Sequence, residues 1–232
     1  MKSRERMRRV VLAAAVLIIA GLFVGYNENF WQTTYQNQSV YTRASGQAAA
    51  ILDTLAVKGR APKTGYTREQ FGGTWADING CDARDVILQR DLVDTQVNEK
   101  CQVTKGVLHD PYTGKTILFT RGPQSSAAVQ IDHVVAISNA WQTGAQALTL
   151  AQRKALYIDP LELLAVDGPA NQQKGDGDAA TWLPPDKAFR CQYVARQIAV
   201  KAKYHLWVTS PEKQAMRSVL AKCPGQVVPE AR

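Results

Sequence analysis

The chain has 232 residues, 45% of them hydrophobic and 21% charged, an ordinary globular composition that excludes a disordered or fibrous protein. Its length suits one domain with an appendage. The formal charge of +8 invites a nucleic-acid partner, but Lys2, Arg4, Arg6, Arg8 and Arg9 against Glu5 place half of that excess in residues 1–9, so basicity alone is weak evidence.

This basic start runs into an uncharged stretch from Val10 to Asn27, most apolar over VVLAAAVLIIAGLFV. A positive flank before an apolar run is an export signal, and these eighteen residues can just span a bilayer core of ~30 Å. No small-x-small cleavage site follows, which favours an uncleaved signal anchor over a cleaved signal peptide. Positive charge stays inside, so residues 1–27 read as a cytoplasmic start plus anchor. Residues 28–46, polar and aromatic, read as a juxtamembrane linker, and residues 47–232 as one extracytoplasmic domain. If the run is cleaved, the protein is secreted; if not, it is a single-pass membrane protein.

Within the domain, Gly46–Val57 predicts a first helix, and residues 58–77, dense in Gly, Pro and Thr, an ordered loop. Cys81–Val93 sets Val86, Ile87, Leu88 and Leu92 among charges and predicts an amphipathic helix. From Cys101 to Arg121 apolar and polar residues alternate on both sides of Asp110-Pro111-Tyr112-Thr113-Gly114, a β-hairpin and its turn. Val129–Ile137 predicts a strand, and Asn139–Ile158 a helix with Thr149 as an internal N-cap candidate. Leu161–Val166 is a strand closed by Asp167-Gly168-Pro169, and a helix starts at Asn171. A long amphipathic helix covers Asp186–Leu206, and a last one opens at Ser210-Pro211-Glu212, with proline where its missing N–H is harmless. The order of elements is that of a single α+β domain. Arg190, Arg196, Lys201 and Lys203 on the long helix read first as a solvated face. Tyr66, Phe71, Trp75, Trp141, Trp182 and Trp207 read first as core or loop clamps.

Cys81, Cys101, Cys191 and Cys223 are an even number with no CxxC, which suits disulfides in an oxidising compartment and disfavours a zinc ribbon or a thioredoxin site. Of three pairings, Cys81–Cys101 with Cys191–Cys223 is favoured, because each loop then closes within one part of the chain. Each bridge would contribute ~3–4 kcal/mol.

The three histidines, His109, His133 and His205, form no HExxH. His205 at a helix end and His109 before the turn read as structural or solvated. His133 follows Asp132 directly in an apolar β-type run, where neighbouring residues face opposite sides. Alone, that still favours a structural histidine. The context changes the balance: a strand, a turn and Asn171-Gln172-Gln173-Lys174-Gly175 follow, and the combination IDHVVA, DPLELLAVDG, NQQKGD resembles the HNH (ββα-metal) endonuclease family. Specifically, it resembles an exported bacterial branch related to the GmrSD restriction endonuclease C-terminal domain, over about Tyr66 to Cys223.

The resemblance implies a ββα-metal finger at about residues 129–178, embedded in a disulfide-braced, helix-rich domain. It implies metal-dependent hydrolysis of phosphodiester bonds, in DNA rather than RNA, with low sequence specificity because no separate DNA-reading module is present. His133 matches the general base, which suits imidazole. Asp132 and Asn171 match the ligands of one divalent cation, Mg²⁺ before Mn²⁺. Lys174, one turn after Asn171, could contact a substrate phosphate. Arg84 and Arg90 sit where the family carries recurring basic residues, and a guanidinium fork suits phosphate. Glu162 is a departure, standing where the family has an asparagine that braces the histidine loop. A glutamate there could polarise His133 or become a third metal ligand, which makes it a catalytic candidate. The alternative is a catalytically impaired HNH-derived surface module that binds DNA or protein. Nothing in the sequence indicates a protein partner.

Overall fold

The computed structural model describes residues 48–123 and 125–229; the basic start, the apolar run and the linker region lie outside them. Helix α1 (Ala48–Thr54) buries Ala48 and Leu52. The loop after it holds a 3-10 turn, Arg68–Phe71, and ends in a small hairpin of β1 (Asp77–Ile78) and β2 (Cys81–Asp82). Helix α2 (Ala83–Asp91) begins later than expected because Cys81 and Asp82 pair in that hairpin and Asp82 caps the helix, accepting from the Arg84 amide at 2.7 Å.

Beyond Leu92 the chain is extended, forming β3 (Val93–Val97). The sequence shows no sign of this strand because it is exposed along most of both faces and carries no hydrophobic alternation. It pairs with the expected hairpin of β4 (Val103–His109) and β5 (Thr116–Thr120), in the order β3-β4-β5. In the hairpin turn, buried Asp110 accepts from the amides of Thr113 and Asp167, each at 2.8 Å, and so ties this sheet to the next.

The second sheet pairs β6 (Val129–His133) with β7 (Leu163–Asp167), antiparallel, with Asp132 opposite Leu164 and His133 opposite Leu163. The helix expected over Asn139–Ile158 is divided into α3 (Ile137–Gln142), a 3-10 turn and α4 (Leu150–Tyr157). The break falls at Gly144, whose φ of 131° favours glycine, and a Cβ there would meet the Trp207 ring at 3.2 Å. Thr149 restarts the helix through a capping box with Gln152. Helix α5 (Gly168–Lys174) starts before Asn171: Asp167 accepts from the Ala170 amide at 2.8 Å and Pro169 lies in the first turn, so residues expected to form a turn open the helix.

Helix α6 (Arg190–Lys203) is shorter than expected, and α7 (Ser210–Leu220) opens on a Thr209–Glu212 capping box. The cations of α6 are not simply a solvated face. Lys201 is 1% exposed and pairs with buried Glu212 at 2.9 Å, while Arg196 donates to the Leu163 carbonyl at 3.0 Å. Leu52, Ile137, Leu156, Tyr193, Ile198 and Met216 belong to the larger core; Ile87, Leu108, Phe119, Ile131 and Leu163 belong to a smaller one between α2 and the sheets. The cysteines are bridged Cys81–Cys101 and Cys191–Cys223. The fold is α+β, with two disulfides. Among the described residues no helix is long and apolar enough to cross a membrane.

Candidate active site

The end of β6 brings Asp132 and His133, both nearly buried, to a cleft of about 300 Å³ whose lining also includes Gln130, Asn171, Asp176 and Arg68. His133 Nε2 lies 2.9 Å from the Tyr157 carbonyl oxygen. A carbonyl can only accept, so Nε2 carries the proton and donates it there, leaving the Nδ1 lone pair as the basic atom. The ring packs in a three-ring cluster with Trp75 and Tyr157, whose own centroids lie 5.5 Å apart. Trp75 stacks on it at 5.6 Å with 6° between planes, and the Tyr157 ring lies at 4.5 Å. Burial lowers the imidazole pKa to about 3; the Tyr157 bond opposes this, and the charges of Arg68 and Lys174 add to it. The imidazole is therefore neutral across the ordinary pH range.

Asp132 is enclosed differently. Lys174 Nζ donates to its Oδ1 at 2.8 Å and to the His133 carbonyl at 2.7 Å, and the buried Tyr112 hydroxyl donates to its Oδ2. The Lys174 side chain is fully buried, so the expected phosphate contact gives way to an internal one that fixes the Asp132–His133 segment. Burial raises the Asp132 carboxyl, against the pull of Lys174 and Tyr112 toward the charged form. Asn171 donates from Nδ2 to Gln130 Oε1 at 2.9 Å, and among the described residues no group donates to its amide oxygen.

The expected metal pair thus fits a cation in donor type: Asp132 and Asn171 offer hard oxygens on one cleft, and the Asn171 amide is oriented by Gln130. Among the described residues no group of three or more His, Cys, Asp or Glu adds to them. A cation here would share the Asp132 carboxylate with Lys174, using lone pairs that the ammonium and the phenol leave free.

Glu162 does not line the cleft. It is fully buried, and both carboxyl oxygens lie 3.2 Å from the Val135 amide, which donates to them. Its backbone carbonyl accepts from Val134 at 2.9 Å, so residue 162 braces the turn after His133 twice. Burial pushes the Glu162 carboxyl well above its ordinary 4.5, against the pull of the Val135 amide. A raised carboxyl pKa means that the neutral form stabilises the native state fully below pH 4.5. That contribution is lost as pH rises toward the native value, at up to ~1.4 kcal/mol per pH unit. Glu162→Gln keeps an acceptor for Val135 and does not titrate. It is therefore expected to be more stable than wild type at pH 8 by ~1 kcal/mol or more, with the difference shrinking toward pH 5 in urea titrations. Equal stability at both pH values would show that the carboxyl titrates normally.

Arg84 donates to the carbonyls of Ser126 and Val129 at 3.2 and 2.9 Å, and Arg90 to those of Pro160 and Leu163 at 2.6 and 2.7 Å. Both guanidiniums clamp the ends of β6 and β7 rather than line the cleft. Sequence reasoning did not single out Tyr112, Tyr157, Gln130 or Arg68 as site residues, and it took Trp75 for a general clamp. None carries a local signal, because their partners lie far away in the chain.

A family model described as the C-terminal domain of GmrSD restriction endonucleases matches residues 82–219, a segment that holds Tyr112, Asp132, His133, Tyr157, Glu162, Asn171 and Lys174. Arg68 and Trp75 precede it. An "Uncharacterized secreted protein" of Arthroderma benhamiae is 38% identical over 183 residues, covering 78% of this chain and 86% of its own. No solved structure matches the chain significantly.

Proposed function

The chain belongs to the family of GmrSD restriction endonuclease C-terminal domains, and we propose that it is an exported, metal-dependent endonuclease that hydrolyses DNA phosphodiester bonds with low sequence specificity. One observation carries the reading: the bond from His133 Nε2 to the Tyr157 carbonyl leaves Nδ1 as the basic atom of a neutral imidazole, and His133 lines the same cleft as Asp132 and Asn171. On this reading β6, β7 and α5 make a ββα-metal finger. Nδ1 takes the proton of the attacking water, and the Trp75 and Tyr157 rings keep the imidazole from turning away. Asp132 and Asn171 would hold one divalent cation, Mg²⁺ or Mn²⁺, which when bound supplies positive charge to the phosphoryl group and leaving oxygen. Glu162 and Lys174 hold the backbone on either side of the base. The family's restriction endonucleases support DNA over RNA. The basic-then-apolar start and the relative's description as secreted support export, with a membrane tether if the apolar run is retained.

The second reading, a surface module that binds DNA or protein without turnover, is favoured by one feature: the Lys174 ammonium already neutralises Asp132. Oxidised protein incubated with supercoiled plasmid decides between them. Nicking that requires Mg²⁺ or Mn²⁺ and stops with EDTA is the expected result. Retention of plasmid without nicking, by folded protein in either metal, would establish the binding module.

A further inference from the structure

Among the described residues, Arg68 is the one cationic side chain that lines the cleft, and it is paired with no carboxylate. Other cations near by are committed elsewhere: Arg60 to Asp178, Lys63 to Asp176 and Lys174 to Asp132. Arg68 Nη2 donates to the Tyr157 hydroxyl at 3.1 Å, and its Cζ lies 5.8 Å from the centre of the same ring. Tyr157 itself is 2% exposed, and its carbonyl holds His133 Nε2. One buried residue therefore positions both the base and the guanidinium, its backbone carbonyl holding one and its hydroxyl the other. A guanidinium has five N–H donors in a planar fork, and one hydrogen bond leaves most of them for a ligand. The group that such a fork matches is an anion with two oxygens in one plane, and the other charged side chains lining the cleft, Asp132 and Asp176, would repel one.

We infer that Arg68 binds the non-bridging oxygens of the scissile phosphodiester and holds the phosphorus within reach of His133. The inference rests on the nuclease reading for its substrate, although Arg68 lies outside the segment matched to the family. Negative charge on those oxygens grows as phosphorus becomes five-coordinate, so the guanidinium strengthens its hold in the transition state and acts on kcat as well as on binding.

The test compares wild type, Arg68→Ala and Arg68→Lys in the oxidised full chain, by plasmid nicking and by binding to a 12-base-pair duplex in EDTA. Arg68→Ala is expected to lower kcat about 100-fold and to lower the slope of log affinity against log salt by about 0.9, the share of one phosphate. Arg68→Lys should keep the salt slope but recover only part of kcat, because the charge remains and the fork is lost. Arg68→Ala with unchanged nicking, or with unchanged affinity and salt slope, would overturn the inference. If wild type nicks nothing, the nuclease reading fails. Arg68 is then judged on binding alone: a lowered affinity and slope in Arg68→Ala upholds the phosphate contact, and an unchanged pair of values removes it.

Discussion

Replacing His133 by alanine is expected to lower plasmid nicking at least 10³-fold, within the range that general-base removal reaches. Asp132 is a poor substitute base, since Lys174 and Tyr112 already donate to its oxygens and its remaining lone pairs are those a cation would use, and Glu162 is enclosed behind the Val135 amide. The variant also loses the imidazole's packing against Trp75 and Tyr157, a loss of about 1–3 kcal/mol, so activity is read on protein whose melting transition remains cooperative. A sharper form of the same prediction concerns pH. With the imidazole at about 3 in the free enzyme, kcat/KM for wild type should show no inflection near 6.5 from this group. Stability carries the same signature with a defined sign. A lowered histidine pKa gives stability that is complete above pH 6.5 and is lost as pH falls through that value toward 3, at up to ~1.4 kcal/mol per unit. His133→Asn should lack that slope. An acid limb centred on 6.5 in wild type would mean an imidazole open to water and would overturn the Nε2–Tyr157 arrangement.

Much of the scaffold was legible because its signals are local. The Asp110–Gly114 turn, the Thr149 cap and the Ser-Pro-Glu start of α7 each act within four residues. What failed was non-local or too short to have a period. Strand β3 has no buried face, and the division of residues 137–158 follows from Gly144 meeting Trp207, more than sixty residues away in the chain. The site divides in the same way. Asp132, His133 and Asn171 were identifiable through a family resemblance, whereas residue chemistry alone left His133 a structural histidine. The structure brings all three to one cleft. Arg84 could not be placed from sequence because its acceptors are 42 and 45 residues away. Helix α5 is seven residues long, too short for any hydrophobic period to show that Lys174 turns inward.

That inward turn underlies the second large effect. Lys174 and Asp132 form an ion pair with side chains 0% and 6% exposed, and removing one member of a buried pair costs about 3–5 kcal/mol, because the partner's charge is left without compensation. Lys174→Met, close in length and apolar, is expected to lose that much stability at pH 7.5 by urea unfolding. The loss should shrink as pH falls, since the orphaned Asp132 carboxyl can take up a proton and become neutral. Lys174→Met combined with Asp132→Asn should recover most of it, because the amide oxygen introduced at position 132 can still accept from Tyr112 and no charge is buried. Such coupling between adjacent sites is what a double-mutant cycle isolates. A single-variant loss below ~1 kcal/mol, flat with pH, would show that Asp132 is not held as a carboxylate by Lys174. The cation reading would then lose its charged ligand, since Asn171 is neutral. A large, pH-dependent loss would instead establish Asp132 as charged in the folded state, with Lys174 as the group that a divalent ion must share it with. On that outcome, added Mg²⁺ or Mn²⁺ should restore stability to Lys174→Met more than it stabilises wild type, because only the variant offers an uncompensated carboxylate to the ion.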